Sequence, residues 1–237
     1  SGVVSISQAI TQELLNMGYP EEKIAYIPNG VDSKQFSPVS SLEKTRLKSE
    51  LGWKDIPTIL FVGAVIPRKQ PHLLLEVLYK LKKRGLEAQL VIAGPEKDVN
   101  YSALMREMAE LYGITENIVW HGFSSDVAAL YQASDVFSLL SKKEGMANAM
   151  LEAMSSGLPV VMTDISGVAD AVEHGVNGFI VSEDCEEISE VIVELLKSSE
   201  LASTVSAAAR DTITNTFSSE VVFNKQFQMF DHARYGK

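Results

Sequence analysis

From Pro57 onward, short apolar runs rich in Val, Ile, Leu and Phe take turns with longer stretches of helix-forming residues. The apolar runs predict strands over 58–62, 88–92, 118–121, 136–140, 159–162 and 178–181. Between them the sequence predicts helices over 71–84, 101–112, 127–132 and 149–155, and a short one near 169–173. Strands that are almost wholly apolar and alternate with helices belong to a parallel sheet buried on both faces. The expected fold class is therefore α/β, with about six parallel strands and helices on both sides. Three further helices are predicted over 186–197, 201–216 and 219–234. Ahead of Pro57, residues 3–7 read as the end of a strand, 8–17 as a short helix closed by Gly18, and 24–27 as a second extended piece. Pro28-Asn29-Gly30-Val31-Asp32 then forces a turn.

One block indicates where ligand chemistry would sit. The strand over 136–140 leads through a loop into the helix formers of 149–154, and Gly157 stands where a left-handed helix cap belongs before the next strand. In a parallel α/β sheet such a loop opens onto the ligand crevice, and the helix after it points its amides there. Glu144 lies in that loop, held out of the helix by Gly145, and Glu152 falls just beyond the first helical turn. Their different placement excludes a proton-sharing dyad. Ionised carboxylates only accept hydrogen bonds, so hydroxyls are their natural partners, while the amides of 147–149 suit an anion. A nucleotide sugar offers both.

The other strand-end loops add smaller signals. After the first long strand, Gly63 permits a close approach by a ligand or a second backbone, and Arg68-Lys69 places two cations before a helix start. Cations there oppose the helix dipole unless an anion lies between them. His121 reads as a strand-end histidine bonded to backbone, and Ser166-Gly167 follows the fifth strand at the crevice side. The basic run Lys80, Lys82, Lys83, Arg84 and the acidic run Glu183, Asp184, Glu186, Glu187 both read as dipole-complementing helix ends. The sequence has no Cys/His cluster, no Asp-x-Asp at a strand end, no Gly-x-x-x-x-Gly-Lys loop and no Gly-x-Gly-x-x-Gly.

Composition narrows the reading. With 46% hydrophobic and 22% charged residues the 237-residue chain is an ordinary globular protein, and no apolar run approaches a membrane span. A net charge of −10 argues against nucleic acid or an anionic membrane as the main partner, so a phosphate site must be built from a few positioned cations and amides. The single Cys185 fits a reducing compartment, and the expected location is cytoplasmic. The chain opens on Ser1-Gly2 rather than Met, so a processed or excised chain is expected.

The wording Glu144-Gly145-x-x-Asn148-x-x-Leu151-Glu152-Ala153-Met154-x-x-Gly157-Leu158-Pro159-Val160-Val161 resembles the signature of the glycosyltransferase group 1 family, retaining enzymes of GT-B fold. The resemblance implies a Rossmann-like C-terminal half of a GT-B fold that binds a nucleoside diphosphate sugar as donor substrate, without metal or cofactor. It assigns Glu152 to the ribose and makes Glu144, which meets the donor sugar, the catalytic candidate. Gly63, Arg68, Lys69 and the amides of Ala147, Asn148 and Ala149 complete the donor site. The family's phosphate loop reads Gly-Arg, a few residues, then Lys-Gly. Lys69 matches that Lys, Ala64 stands where the Arg would be, and Gln70 replaces the Gly, so Arg68 is expected to supply the absent cation.

Ile27 to Asp32 with Phe36 is similar to the family's interdomain hinge. Residues 1–38 are accordingly read as hinge and remnant of an N-terminal domain, 39–217 as the nucleotide-sugar-binding domain and 218–237 as a C-terminal helix. The acceptor-binding N-terminal domain would be a missing partner, without which transfer is not expected. Two alternatives stand beside this reading: a nucleotide-sugar binding or interaction module without transferase activity, and a sugar-nucleotide epimerase of related fold.

Overall fold

The computed structural model describes residues 2–235. Its main sheet has six parallel strands: β3 (Thr58–Val62), β4 (Gln89–Ala93), β5 (Ile118–Gly122), β6 (Val136–Leu139), β7 (Val160–Thr163) and β8 (Phe179–Val181). Their order is β5-β4-β3-β6-β7-β8. The chain builds outward from β3 to β5, returns to the other side of β3, and continues to β8. The direction of winding therefore reverses between β3 and β6, and the loops leaving their C-terminal ends frame the crevice where such sheets bind ligands.

Right-handed crossovers on the two sides of that reversal put their helices on opposite faces. The helices indeed pack in two groups: α3 (Pro71–Lys83) with α4 (Val99–Leu111) and α7 (Cys185–Lys197), and α5 (Val127–Gln132) with α2 (Ser41–Glu50) and α6 (Asn148–Ser155). α8 (Ser199–Thr212) packs on α6 and α7 and runs into a π-turn over Ile213–Phe217. The central strands are apolar because they are covered on both sides. Every residue of β4, β6 and β7 is buried.

The first residues form a separate two-stranded parallel sheet, β1 (Val3–Ser5) with β2 (Ile24–Tyr26), joined by α1 (Gln8–Asn16). The chain then passes over the turn of residues 28–32 and is clasped by the end of the protein. Val31 accepts from Ser219 N at 2.8 Å and donates to Phe217 O at 2.9 Å, immediately before α9 (Ser219–Tyr235). Arg210 reinforces the clasp, its guanidinium donating to Ser33 O, Phe36 O and Ser155 O.

Two expectations need correction. The rhythm begins before Pro57, because residues 41–50 form α2. That helix carries little apolar stripe and is held by charge: Lys44 and Lys48 each lie 2.9 Å from Asp135, which also accepts from Thr58 N at 2.9 Å. Burial opposes ionisation of Asp135, but the two ammonium groups hold its carboxyl below the usual aspartate range. The helix near 169–173 is absent. One turn closes between Val172 N and Val168 O, but Asn177 then takes Glu173 N and Ala171 O with its side chain, so no ladder propagates. No helix among the described residues is long and apolar enough to cross a membrane.

Candidate functional site

The crevice is lined by the loop after β3 and the loop after β6. The first turns sharply: Pro67–Lys69 is a single 3₁₀ turn, and Gln70 follows in the left-handed conformation at φ 47° before α3 starts at Pro71. In an extended chain Arg68 and Lys69 would point to opposite sides. The tight turn instead brings both to one carboxylate. Lys69 Nζ lies 3.1 Å and the Arg68 guanidinium 3.4 Å from Glu144 Oε1. Arg68 also donates to Lys143 O and accepts from Lys142 N, so the two loops are tied through backbone as well. Ser141 completes the surroundings of Glu144, its hydroxyl donating at 3.1 Å.

The two cations are not equivalent. The Lys69 side chain is 16% exposed, close to the 15% of Glu144, whereas Arg68 is 47% exposed. Lys69 is held down because it lies across Gly63, where a Cβ would stand 2.9 Å from Nζ. Gly63 also meets backbone: a Cβ on Gly94 would come within 2.0 Å of Gly63 O. Of the two approaches that the sequence left open at Gly63, a second backbone is what this structure holds. Gly167 likewise abuts protein, since a Cβ there would lie 2.5 Å from Gly145 O. It packs the loop after β7 onto the loop after β6.

Glu152 sits in different surroundings. It projects from the second turn of α6, where Tyr131 of α5 donates to Oε2 at 2.8 Å. The Tyr131 ring is fully buried between Phe36 and Phe137. Burial pushes the Glu152 carboxyl above the ordinary glutamate range, and the bond from Tyr131 offsets part of that rise. Tyr131 is itself pushed well up, by burial first and then by the neighbouring carboxylate. Glu152 lines a small cleft of ≈ 120 Å³ with Gly30, Asp32, Phe36 and Asn148, so the turn over residues 28–32 forms its other wall. Both glutamates follow the C-terminal end of β6, and their partners are entirely different.

Between them lies the start of α6. Ala147 is the N-cap residue, and no described side chain caps the helix, which leaves its first amides without a side-chain acceptor. Ala147 is buried and offers backbone alone, whereas Asn148 is exposed and accepts from Asn29 Nδ2 at 2.8 Å. Asn29 thereby fastens the turn over residues 28–32 to the helix start. The N-terminal arm reaches the same place from the other side: Ile6 touches Gly145, and Asp170 accepts from Gln8 N and Tyr26 Oη.

His121 takes no part in this cluster; it meets Trp53 edge to face. The basic run near the end of α3 is answered by its neighbours, with Lys80 and Arg84 paired to Glu186 and Lys82 donating to Gly113 O. Sequence reasoning did not single out Tyr131, Ser141 or Arg210. Ser141 had a readable signal, three residues before Glu144 at the end of a strand. Tyr131 and Arg210 had none, because their partners come from other elements.

The family model described as glycosyl transferases group 1 matches residues 43–212, more than half of the chain. An uncharacterized glycosyltransferase of Methanocaldococcus jannaschii is 30% identical over 184 residues, covering 76% of this chain and 46% of that protein. A GDP-mannose-dependent alpha-(1-6)-phosphatidylinositol monomannoside mannosyltransferase of Mycobacterium tuberculosis is 25% identical over 205 residues, 82% of this chain and 52% of that protein. The chain thus spans about half the length of the curated relatives it matches. Among solved structures, a glycosyltransferase from Rickettsia africae superposes with a TM-score of 0.92 at 23% identity, over 100% of this chain and 64% of that one. The HepE protein of Anabaena, solved in complex with UDP and glucose, superposes at 0.88 with 22% identity over 99% of this chain and 63% of that one.

Proposed function

The chain belongs to the glycosyl transferases group 1 family, and from that premise we propose that it binds the donor, a nucleoside diphosphate sugar, for a retaining and metal-independent glycosyl transfer. The observation that carries this reading is the pairing of Lys69 and Arg68 with Glu144 at the β3/β6 switch point, in the loop that leads into the uncapped start of α6, with Glu152 facing a cleft one turn further on. Cations and unpaired amides suit a diphosphate. A half-buried carboxylate with a neutral partner suits ribose hydroxyls. A relative that uses GDP-mannose and a neighbour of the same fold that holds UDP support a nucleotide donor and leave the base open.

In this reading Lys69, Arg68 and the α6 amides stabilise the negative charge that grows on the departing diphosphate. They also supply the neutralisation that a divalent cation would otherwise provide. Glu144 gives up its ammonium partner to the phosphate and turns to a hydroxyl of the donor sugar. The acceptor is held by a second, N-terminal domain that closes on this one, because transfer needs donor and acceptor fixed together away from water. Titration of the purified chain with UDP, GDP, ADP, CDP and dTDP tests donor binding: micromolar-range affinity for at least one of them is expected, and no binding of any contradicts the reading. For transfer itself, the two-domain protein is expected to turn over donor and acceptor in the presence of EDTA. The 237-residue chain is expected to show none.

A further inference from the structure

Gln70 is the one non-glycine residue at positive φ among the described residues. Glycine takes this left-handed conformation freely, whereas a residue with a Cβ takes it at a cost. Gln70 is nevertheless anchored there. Its side chain is only 3% exposed, and Nε2 donates to Glu183 Oε2 at 2.9 Å, tying the loop after β3 to the loop that leads from β8 into α7. The same residue closes the 3₁₀ turn, with its N–H donating to Pro67 O at 3.2 Å, and opens α3 by accepting from Leu73 N at 3.1 Å. The path of the chain through Gln70 thus sets the direction in which Lys69, its immediate predecessor, leaves the helix start.

We infer that Gln70, through its bond to Glu183, is a positioning residue for Lys69 in diphosphate binding. The inference rests on the donor-site reading given above. The strap holds the turn in a backbone state that it would otherwise leave, and so keeps the Lys69 ammonium aimed into the crevice at Glu144. Glu183, which the sequence places in a dipole-complementing acidic run, acquires a second role as the acceptor that fixes this turn.

The test is calorimetric titration of UDP and GDP, with uridine and guanosine as controls. Gln70→Leu keeps the size of the side chain and the Cβ that makes the left-handed backbone costly, but loses the tether. It is expected to weaken diphosphate binding roughly three- to tenfold and to leave the nucleosides unmoved. Glu183→Ala is expected to do the same, although removing a nearby negative charge would by field effects alone tighten an anion. Glu183→Gln keeps an acceptor and is expected to bind at least as tightly as the parent chain. The double variant is expected to be no weaker than either single one. Diphosphate affinity unchanged or tighter in both Gln70→Leu and Glu183→Ala, or nucleoside affinity falling equally, overturns the inference alone. Failure of the parent chain to bind any of UDP, GDP, ADP, CDP or dTDP overturns the donor-site reading and this inference with it.

Discussion

Glu152 and Glu144 leave the same strand tip, yet their surroundings differ in kind. Glu152 is sunk against α5 with a neutral hydroxyl as its one donor among the described residues, and burial raises its pKa. Glu144 holds an ammonium, a guanidinium and a hydroxyl within reach. A carboxylate in a poorly solvated site with one neutral donor still has lone pairs to fill, so it is ready to accept from a ligand. A carboxylate already ringed by cations must release them before they can serve an anion. In the donor-site reading proposed above, the comparison separates a preformed nucleoside region from a phosphate region that has to exchange partners.

The largest expected effect breaks the first half of that comparison. Glu152→Ala removes charge-assisted bonds worth ~1.5–3 kcal/mol, so uridine and UDP, or guanosine and GDP, should both bind ten- to a hundredfold more weakly. The same change strips the buried Tyr131 hydroxyl of its acceptor, at a cost to stability of ~1–3 kcal/mol that denaturant unfolding will read. Lys69→Ala breaks the other half selectively. It should cost diphosphate binding ~1.5–3 kcal/mol in calorimetry and leave the nucleoside untouched. Arg68→Ala should act in the same sense but cost less, about 1 kcal/mol or below, because its guanidinium is largely in water.

Titration with acid sharpens the contrast further. Glu152 must be ionised to accept two hydroxyl bonds, and its raised pKa means that protonation begins at a higher pH than for an ordinary glutamate near 4.3. Nucleoside affinity should therefore fall on acidification while the fold is still intact. The sign for stability is opposite. A carboxyl whose folded-state pKa lies above its unfolded value costs stability at neutral pH, and that cost lessens as the pH drops through the raised value. Salt should give the smallest effect: raising it from ~0.05 to ~0.5 M should weaken UDP binding and barely alter uridine binding.

What the sequence revealed, and what it hid, follows the same division between local and distant causes. β3 was readable to the residue because a parallel strand buried on both faces leaves an unbroken apolar run. α5 was equally clear. α2 was overlooked because its residues show almost no amphipathic stripe, and its anchor, Asp135, lies far along the chain. A local signal did exist there, since Ser40 caps Glu43 N. For the candidate site, the block around α6 and the Arg68-Lys69 pair stand out in the sequence, and the structure brings Arg68 and Lys69 to Glu144. The partnerships were not legible in the sequence. Tyr131 reaches Glu152 only because α5 packs on α6, and Gln70 reaches Glu183 only because α7 returns to α3.

The claim at the centre of this account is that Lys69 is held by Glu144 until a diphosphate takes it. Calorimetric titration of Glu144→Gln with UDP or GDP, whichever the parent chain binds more tightly, tests it most directly. Removing the charge frees Lys69 without disturbing the nucleoside region, and neither ligand carries a donor glycosyl group for Glu144 to meet. The diphosphate should then bind more tightly, roughly threefold or better, while the nucleoside binds as before. A diphosphate affinity that is unchanged or weaker would show that the ion pair does not compete for the phosphate and would contradict the account.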